Sequence, residues 1–286
     1  MVKRAIFGFL LMTLAFGVSA YAKPPDELKE LKAGQDFEIR SDRAYLLFRV
    51  AQQDGVKPLE PLLMRVPSEV ELQRYEAARA DAFAKELPNL NRQYERELER
   101  HQGRGDTSES ALQRPTIESF AFVWDEVANL QDVDYGDKFV KTEHEETFLV
   151  EAKPGEYVFY GFTPSTGLPR LMFCLCLGSV GFTANAGELT DLGYLISDFS
   201  LRGSNAPELE GRFGFSATVR PARPDSSIPS ALNNEKITAA KYQAIGRFFT
   251  PNAVNIDRLA PVPNVLEYAK EKVINPVTGE ELPDNF

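Results

Sequence analysis

Cysteine and histidine are scarce in this chain, with two of each in 286 positions. So few imidazoles leave little material for Ser-His or Cys-His nucleophilic catalysis, which needs a base within hydrogen-bond reach of the nucleophile. His144 opens a His-Glu-Glu run, but position 148 is Phe, so the HExxH of a zinc-protease helix is absent. There is no G-x-S-x-G elbow, no phosphate-binding P-loop, no strand-following GxGxxG and no internal repeat. Basic residues are also short, 32 against 42 acidic, giving a formal charge of −10. That balance repels phosphate backbones and argues against nucleic acid as a partner.

The two cysteines, Cys174 and Cys176, stand at i and i+2 in FCLCL. On an extended strand they share a face, with Cα atoms more than about 6 Å apart, beyond the usual disulfide separation. They read as two small buried side chains in a core that stands without disulfides. Soft-metal ligation, with His101 and His144 the available imidazoles, and redox chemistry are the alternatives.

Long apolar runs are equally rare. The first 22 residues hold one: Lys3-Arg4 supplies a positive start, Ile6 to Val18 an uncharged core, and Ala20-Tyr21-Ala22 a small-x-small cleavage site. This run is short of the roughly 20 apolar residues that span a bilayer. It reads as a signal peptide. No cysteine follows it to take a lipid, and no later run is long enough to cross. The expectation is a soluble protein, periplasmic or secreted, with no transmembrane anchor after cleavage.

What the chain has is strand. From Thr147 to Asp198, short apolar and aromatic runs are broken by Pro154-Gly155, Gly178 and Ala186-Gly187, the punctuation of successive strands. Phe37 to Val50 is apolar on both faces and therefore central, Leu62 to Val66 is a second strand, and Phe213 to Val219 closes the set. Ile117 to Val127 alternates, with Phe120, Phe122 and Trp124 on one face. The pattern implies a mainly β fold, an antiparallel β-sandwich of immunoglobulin-like or prealbumin-like kind over residues 23–225.

Two decorations stand out. Residues 68–102 form a helical insertion, opened by a capping box in Ser68-Glu69-Val70-Glu71 and rich in Ala, Glu, Arg and Leu. Leu72, Tyr75, Arg79, Phe83, Glu86 and Leu90 follow one stripe, and Pro88 should kink or split the helix. It reads either as an amphipathic element covering a sheet edge or as a partner-binding helix. Residues 226–286 form a C-terminal wrapping arm, with one helix from Asn234 to Phe249 and one strand from Asn264 to Tyr268.

Among candidate sites, Asp132, Asp134, Asp137 and Glu143 sit at positions 1, 3, 6 and 12 of a calcium-loop spacing, although position 6 should be Gly. The competing reading is an acidic turn whose Asp side chains bond their own backbone. Glu145, Glu146, Glu151, Glu156, Glu188 and Asp191 could supply a carboxylate pair for glycosidic chemistry, or form a solvated rim. Tyr157, Phe159 and Tyr160 could stack on sugar rings if exposed, or fill a core. Arg104-Gly105-Asp106 is an integrin-type tripeptide of the sort that recurs by chance in a Gly-rich loop.

The segments AYLLFRV, LLMRVPSEVELQRYEAARADAF, EAKPGEYVFYG and FCLCLGSVGFTANAGELTDLG together look like a family of uncharacterised exported bacterial proteins. Their core is similar to small lipoprotein-associated β-sandwich domains, in which a PGxY strand leads to an AGxxTDLG-like strand. The resemblance covers roughly Phe37 to Val219 and implies a sandwich in the Gram-negative envelope; it transfers no catalytic residues. The lipid-anchored members carry a Cys at the cleavage site and this chain does not. The expectation is a non-catalytic exported binding or structural module whose partner is an envelope protein or a glycan. An envelope hydrolase using a carboxylate pair, or a calcium-stabilised carbohydrate-binding module, is the alternative.

Overall fold

The computed structural model describes residues 28–284 except 33, 35–36, 52–58, 104–112, 125–128, 165–171, 201–203, 205, 213 and 251–254. The leader and the Arg104-Gly105-Asp106 tripeptide therefore lie outside the described residues. In chain order the elements begin β1 (Lys29–Leu31), β2 (Ala44–Ala51), β3 (Leu59–Arg65), α1 (Glu69–Gly103), β4 (Leu130–Asp132), β5 (Val140–Lys141) and β6 (Glu145–Ala152). They continue β7 (Gly155–Pro164), β8 (Phe173–Cys174), β9 (Ser179–Ala184), β10 (Leu189–Ser200) and β11 (Gly214–Arg220). The tail adds β12 (Ile237–Ala239), β13 (Gln243–Ile245), β14 (Asn255–Ile256), β15 (Glu267–Ala269) and β16 (Lys272–Ile274).

The first sheet runs β1-β6-β2-β10-β11, with β5 on β6 and β12 on β10; the second runs β13-β9-β7-β3-β4, with β8 on β7 and β14 on β8. Inner faces of both sheets meet in one core: Leu46, Phe48 and Phe148 from one, Leu63, Phe159 and Phe182 from the other. Removing such side chains from water supplies about 1.5–3 kcal/mol each before conformational entropy is charged. β2 is buried on both sides, because Tyr45 and Leu47 on its outer face meet Leu31, Phe139, Leu149, Leu189 and Leu232. The central strand expected over Phe37 to Val50 is thus observed only over Ala44–Ala51, residues 37–43 being coil and turn ahead of it, and the molecule is mainly β and sandwich-like.

The sheets are not purely antiparallel. β10 pairs parallel with both β2 and β12, and β14 pairs parallel with β8. Alternation along a strand reports its faces and not the direction of its neighbour, so this could not be read from the pattern. Near the start of β10 the register shifts between Asp191 and Gly193. There the strand changes its outer neighbour from β12 to β11. Gly193 has φ +82°, and a Cβ on it would lie 2.2 Å from the Arg220 carbonyl oxygen and 2.5 Å from the Ala222 nitrogen. Only glycine fits.

The tail departs from expectation too. Asn234 to Phe249 is not a helix: β12 extends the first sheet and β13 pairs with β9 in the second. Between them Tyr242 Oη donates to the Leu192 carbonyl at 2.6 Å. Ladder partners on two sheet edges outweigh the helix-permissive composition of this stretch. The strand expected from Asn264 to Tyr268 is realised as a separate hairpin, β15 with β16, whose Val273 joins the main core.

Cys174 and Cys176 form a disulfide, with Cα atoms 5.2 Å apart. The core expected to stand without disulfides therefore contains one. β8 lasts only two residues and the chain turns at Cys176 and Leu177, closed by the Gly178 N–H donating to the Leu175 carbonyl, so the two Cα atoms are closer than on an extended strand.

Candidate functional site

The root of the long helix is where the chain brings most of its unusual chemistry together. Ser68 caps α1 as the sequence indicates: its N–H donates to Glu71 Oε2 at 2.9 Å, and the Glu71 N–H donates to Ser68 Oγ at 3.3 Å. Glu71 does more than cap. Arg65, on the last position of β3, donates through both terminal nitrogens to its carboxylate at 2.9 and 2.8 Å, and Lys153 Nζ adds a contact at 3.0 Å. Hydrogen bonding from Arg65 is the largest cause holding the Glu71 carboxyl well below the ordinary carboxylate range, with Ser68 and Lys153 acting the same way against the cost of burial. Glu71 is the one buried residue of α1. A charged clamp thus fixes the first turn of the helix to the second sheet and to the β6–β7 turn.

Beyond the clamp, α1 runs on through Pro88 as one element of 35 residues rather than splitting. Residues 113–124 lie along it antiparallel, as a strap; of the strand expected for Ile117 to Val127, residues 117–124 are not strand and 125–127 lie outside the described residues. Arg114 sits over the Tyr94 ring, Phe120 packs on Phe83, and Phe122 and Trp124 pack on Tyr75 with centroids 5.7 and 6.0 Å away. Arg79 Nη2 donates to the carbonyl oxygens of Ile117 and Glu118 at 2.6 and 3.2 Å. The stripe seen in the sequence is therefore the strap-facing face, at least from Tyr75 to Phe83. Arg74 covers the Trp124 ring at 5.5 Å.

Between clamp and strap lies a groove of about 320 Å³ lined by Pro67, Glu71, Leu72, Tyr75, Trp124 and Asn129. Of its lining side chains, Leu72 is the exposed apolar one, at 48%. Two aromatic rings and a proline beside a carboxylate that Arg65 holds below its ordinary pKa make it a surface for an apolar segment with a polar flank.

The residues singled out in the sequence are placed elsewhere. Asp134 Oδ1 accepts from the Gly136 N–H at 2.8 Å, Asp137 pairs with Lys32 at 3.0 Å, Asp132 ends β4, and Glu143 is exposed in the β5–β6 turn. Asp134 thus makes the self-bonded turn; among the described residues no group of three or more His, Cys, Asp or Glu is gathered to hold a metal ion. The acids proposed for glycosidic chemistry are engaged separately. Glu146 meets Lys138 and Lys141, Glu151 meets Arg40 and Arg43, and Glu188 meets Asn185 and Lys236. Glu156 lies exposed on β7. Tyr157, Phe159 and Tyr160 are all buried, so they pack as core.

Asp191 is buried in a second charged cluster, on the outer face of the first sheet. Arg49, wholly buried, donates to it at 2.7 and 3.1 Å, and to the Ser227 carbonyl. Asp191 also accepts the Gly193 N–H at 2.8 Å, which closes the bulge. Tyr194 lies between the guanidiniums of Arg49 and Arg220, 5.6 and 5.4 Å from its ring centroid, and burial raises its hydroxyl pKa. Glu145 accepts from Ser227 Oγ at 2.9 Å beside this cluster. Arg49 and Asp191 answer each other and Arg220 pairs with Glu208, which makes the cluster a structural knot. Asp198, further along β10, is buried with neither carboxylate oxygen hydrogen-bonded.

Sequence reasoning missed Arg65 as partner of Glu71 and Arg49 as partner of Asp191. The signal was present: a lone Arg among apolar strand residues, in LLMRV and LLFRV, announces a buried charge that needs an acid. No helix among the described residues is long and apolar enough to cross a membrane. No protein-family model, curated protein or solved structure matches the chain.

Proposed function

We propose that this protein is a non-catalytic binding module of the bacterial cell envelope, periplasmic or secreted, which presents α1 to a protein partner from a rigid sandwich. The observation that supports this reading is the imbalance of burial. Of the 35 residues in α1 only Glu71 is buried, whereas the strands bury most of theirs. A helix polar on nearly all sides gives little to a core and is marginal alone. Here it is kept ordered by a buried clamp and an aromatic strap, an investment that an external role explains. The export signal read in residues 1–22 sets the compartment of the proposal. The same reading takes the sandwich as immunoglobulin-like or prealbumin-like, a stiff frame from which an appended element recognises its target.

The test uses the full processed chain, immobilised and exposed to envelope extract, beside a variant carrying Ala80→Arg and Ala84→Arg on the exposed outward face of α1. A partner recovered by the parent and lost by the variant, with melting temperature unchanged, is the expected result. Equal recovery by both would remove α1 from the function.

A further inference from the structure

Beyond the first 22 residues the chain has four sulfur atoms, those of Met64, Met172, Cys174 and Cys176. All four belong to one cluster on the second sheet. Leu63, Phe159 and Leu175 join the main core, whereas their neighbours Met64, Tyr160, Cys174 and Cys176 gather on the sheet's other face. Met172 meets them from the position just before β8, and Ile245 and Phe248 pack on them from the tail. The cysteines are buried and both methionines are half-buried, so the thioethers mark the open side of the cluster.

Packing explains a methionine or a cysteine singly, since either fills an irregular gap. It does not explain why every sulfur of residues 23–286 stands in one place. Among the described residues no His, Asp or Glu joins the two cysteines to make a group of three. The imidazoles His101 and His144 stand elsewhere, at the end of α1 and in the β5–β6 turn. Calcium and magnesium want oxygen ligands and are unserved here. Zinc takes four ligands from thiolate, imidazole and carboxylate, of which two thiolates are present. Two thiolates with two neutral thioethers form the soft donor set that suits monovalent copper.

The disulfide is the closed form of such a site. Its ring holds three residues, so opening it releases little chain freedom. Backbone bonds keep the frame in either form. The Leu175 N–H donates to the Tyr160 carbonyl at 2.9 Å, the Phe248 N–H to the Cys176 carbonyl at 2.9 Å, and the Asp257 N–H to the Cys174 carbonyl at 2.8 Å. With Cα atoms held 5.2 Å apart, both cysteine sulfurs reach a single ion.

We propose that the reduced chain binds one Cu(I) ion through the thiolates of Cys174 and Cys176 and the thioethers of Met64 and Met172. An external dithiol supplies the two electrons and two protons that open the disulfide, and is itself oxidised to a disulfide. The ion then displaces the two thiol protons into solvent. Copper is held in one redox state of the pair and released in the other. This assignment is independent of whether α1 has an external partner.

The full processed chain, reduced with a phosphine under anaerobic conditions, is titrated with Cu(I) supplied as its acetonitrile complex against a chromophoric chelator. One ion per chain is expected, with a thiolate-to-copper absorption band. X-ray absorption should show a sulfur-only shell of about three or four neighbours. The oxidised chain should take no copper from the chelator. Met64→Leu and Met172→Leu conserve volume, so the fold should persist, with the melting temperature of the oxidised chain nearly unchanged. Each should weaken binding by at least about tenfold, the lower end of what even an outer-shell partner contributes. Cys174→Ser should abolish it. Full affinity in the double Met→Leu chain, or a two-sulfur shell in the parent, overturns the proposal, because a bare dithiol gives both. So does equal binding by the oxidised chain, or preference for Zn(II) in direct competition. A pair that stays oxidised in the folded chain under excess phosphine overturns it as well.

Discussion

Arg49 with Asp191 and Arg65 with Glu71 are the same chemical device in two settings. Each is a buried guanidinium donating twice to one carboxylate. The first joins β2 to the bulge of β10 on the outer face of the first sheet, across 142 positions of sequence. The second joins residues six apart and pins one end of a helix that elsewhere packs against the strap of residues 113–124. An ion pair taken from water is costly to create and more costly to break, since the survivor is left charged and buried. What differs is the structure each holds: loss of the first should be felt by both sheets, and loss of the second by the α1 arm (the helix with its strap) alone.

The strongest challenge to the body is a methyl group. In Gly193→Ala the new Cβ would lie 2.2 Å from a backbone oxygen at φ +82°. The crossing of β10 under the β11 exit has no flexible side chain to yield, so a loss beyond about 4 kcal/mol is expected, in the class that abolishes a marginal fold. Denaturant unfolding or soluble yield measures it. A loss under about 1 kcal/mol would show that the bulge is adaptable and that Asp191 is not held by it.

Next comes the pair itself. Asp191→Ala should cost about 3–5 kcal/mol, because it leaves Arg49 buried without its acid. Amide exchange should accelerate in β2, β10 and the strands beside them together. The double change Arg49→Met with Asp191→Leu should recover most of the loss, since no buried charge then remains. Failure to recover would mean that the Gly193 N–H and Ser227 carbonyl contacts, and not the charges, dominate.

Glu71→Gln is the matching experiment on the arm. About 2–3 kcal/mol of local stability should go, read as faster exchange over the first turns of α1 with the sandwich strands unchanged. The pH dependence has a definite sign. Because the folded Glu71 pKa is depressed, its contribution is complete above the unfolded carboxyl value of about 4.3 and is lost as pH falls through the lower folded value. The advantage of Glu71 over Gln should be flat above pH about 5 and shrink progressively below about 4. If Glu71→Gln lowered the whole unfolding transition as far as Asp191→Ala does, arm and body would be one cooperative unit and the contrast would fail.

Local chemistry was legible in the sequence and distant pairing was not. Ser68 and Glu71 stand three residues apart, so their capping box can be read directly. The alternation of Phe120, Phe122 and Trp124 was visible as well, but a strap on a helix and a strand in a ladder give the same alternation, so the partner was misjudged. Ile237 to Ile245 is helix-permissive when isolated; β9 and β10 supply edge partners far away in sequence that decide otherwise. Asp191 was one acid among six until Arg49 singled it out. The groove needed the helix, the strap and the β3–β4 edge in place together, and no single stretch encodes it.

The smallest expected effect concerns the Cys174–Cys176 disulfide, and the reason is its loop. Constraining the unfolded chain is what most disulfides contribute, and a three-residue ring removes little of that freedom, about 1.5 kcal/mol by the loop-length relation. The sulfurs lie among Tyr160, Phe248, Met64, Met172 and Ile245, contacts that two thiols can keep. Backbone bonds from Leu175 to Tyr160, from Phe248 to Cys176 and from Asp257 to Cys174 hold the segment independently of the sulfur bond. Reduction should therefore lower stability by about 1–2 kcal/mol, and exchange should quicken first around residues 248 and 257. A larger, global loss would place β8 and β14 inside the cooperative core with Asp191. No change at all would mean that the backbone bonds alone carry that edge of the second sheet.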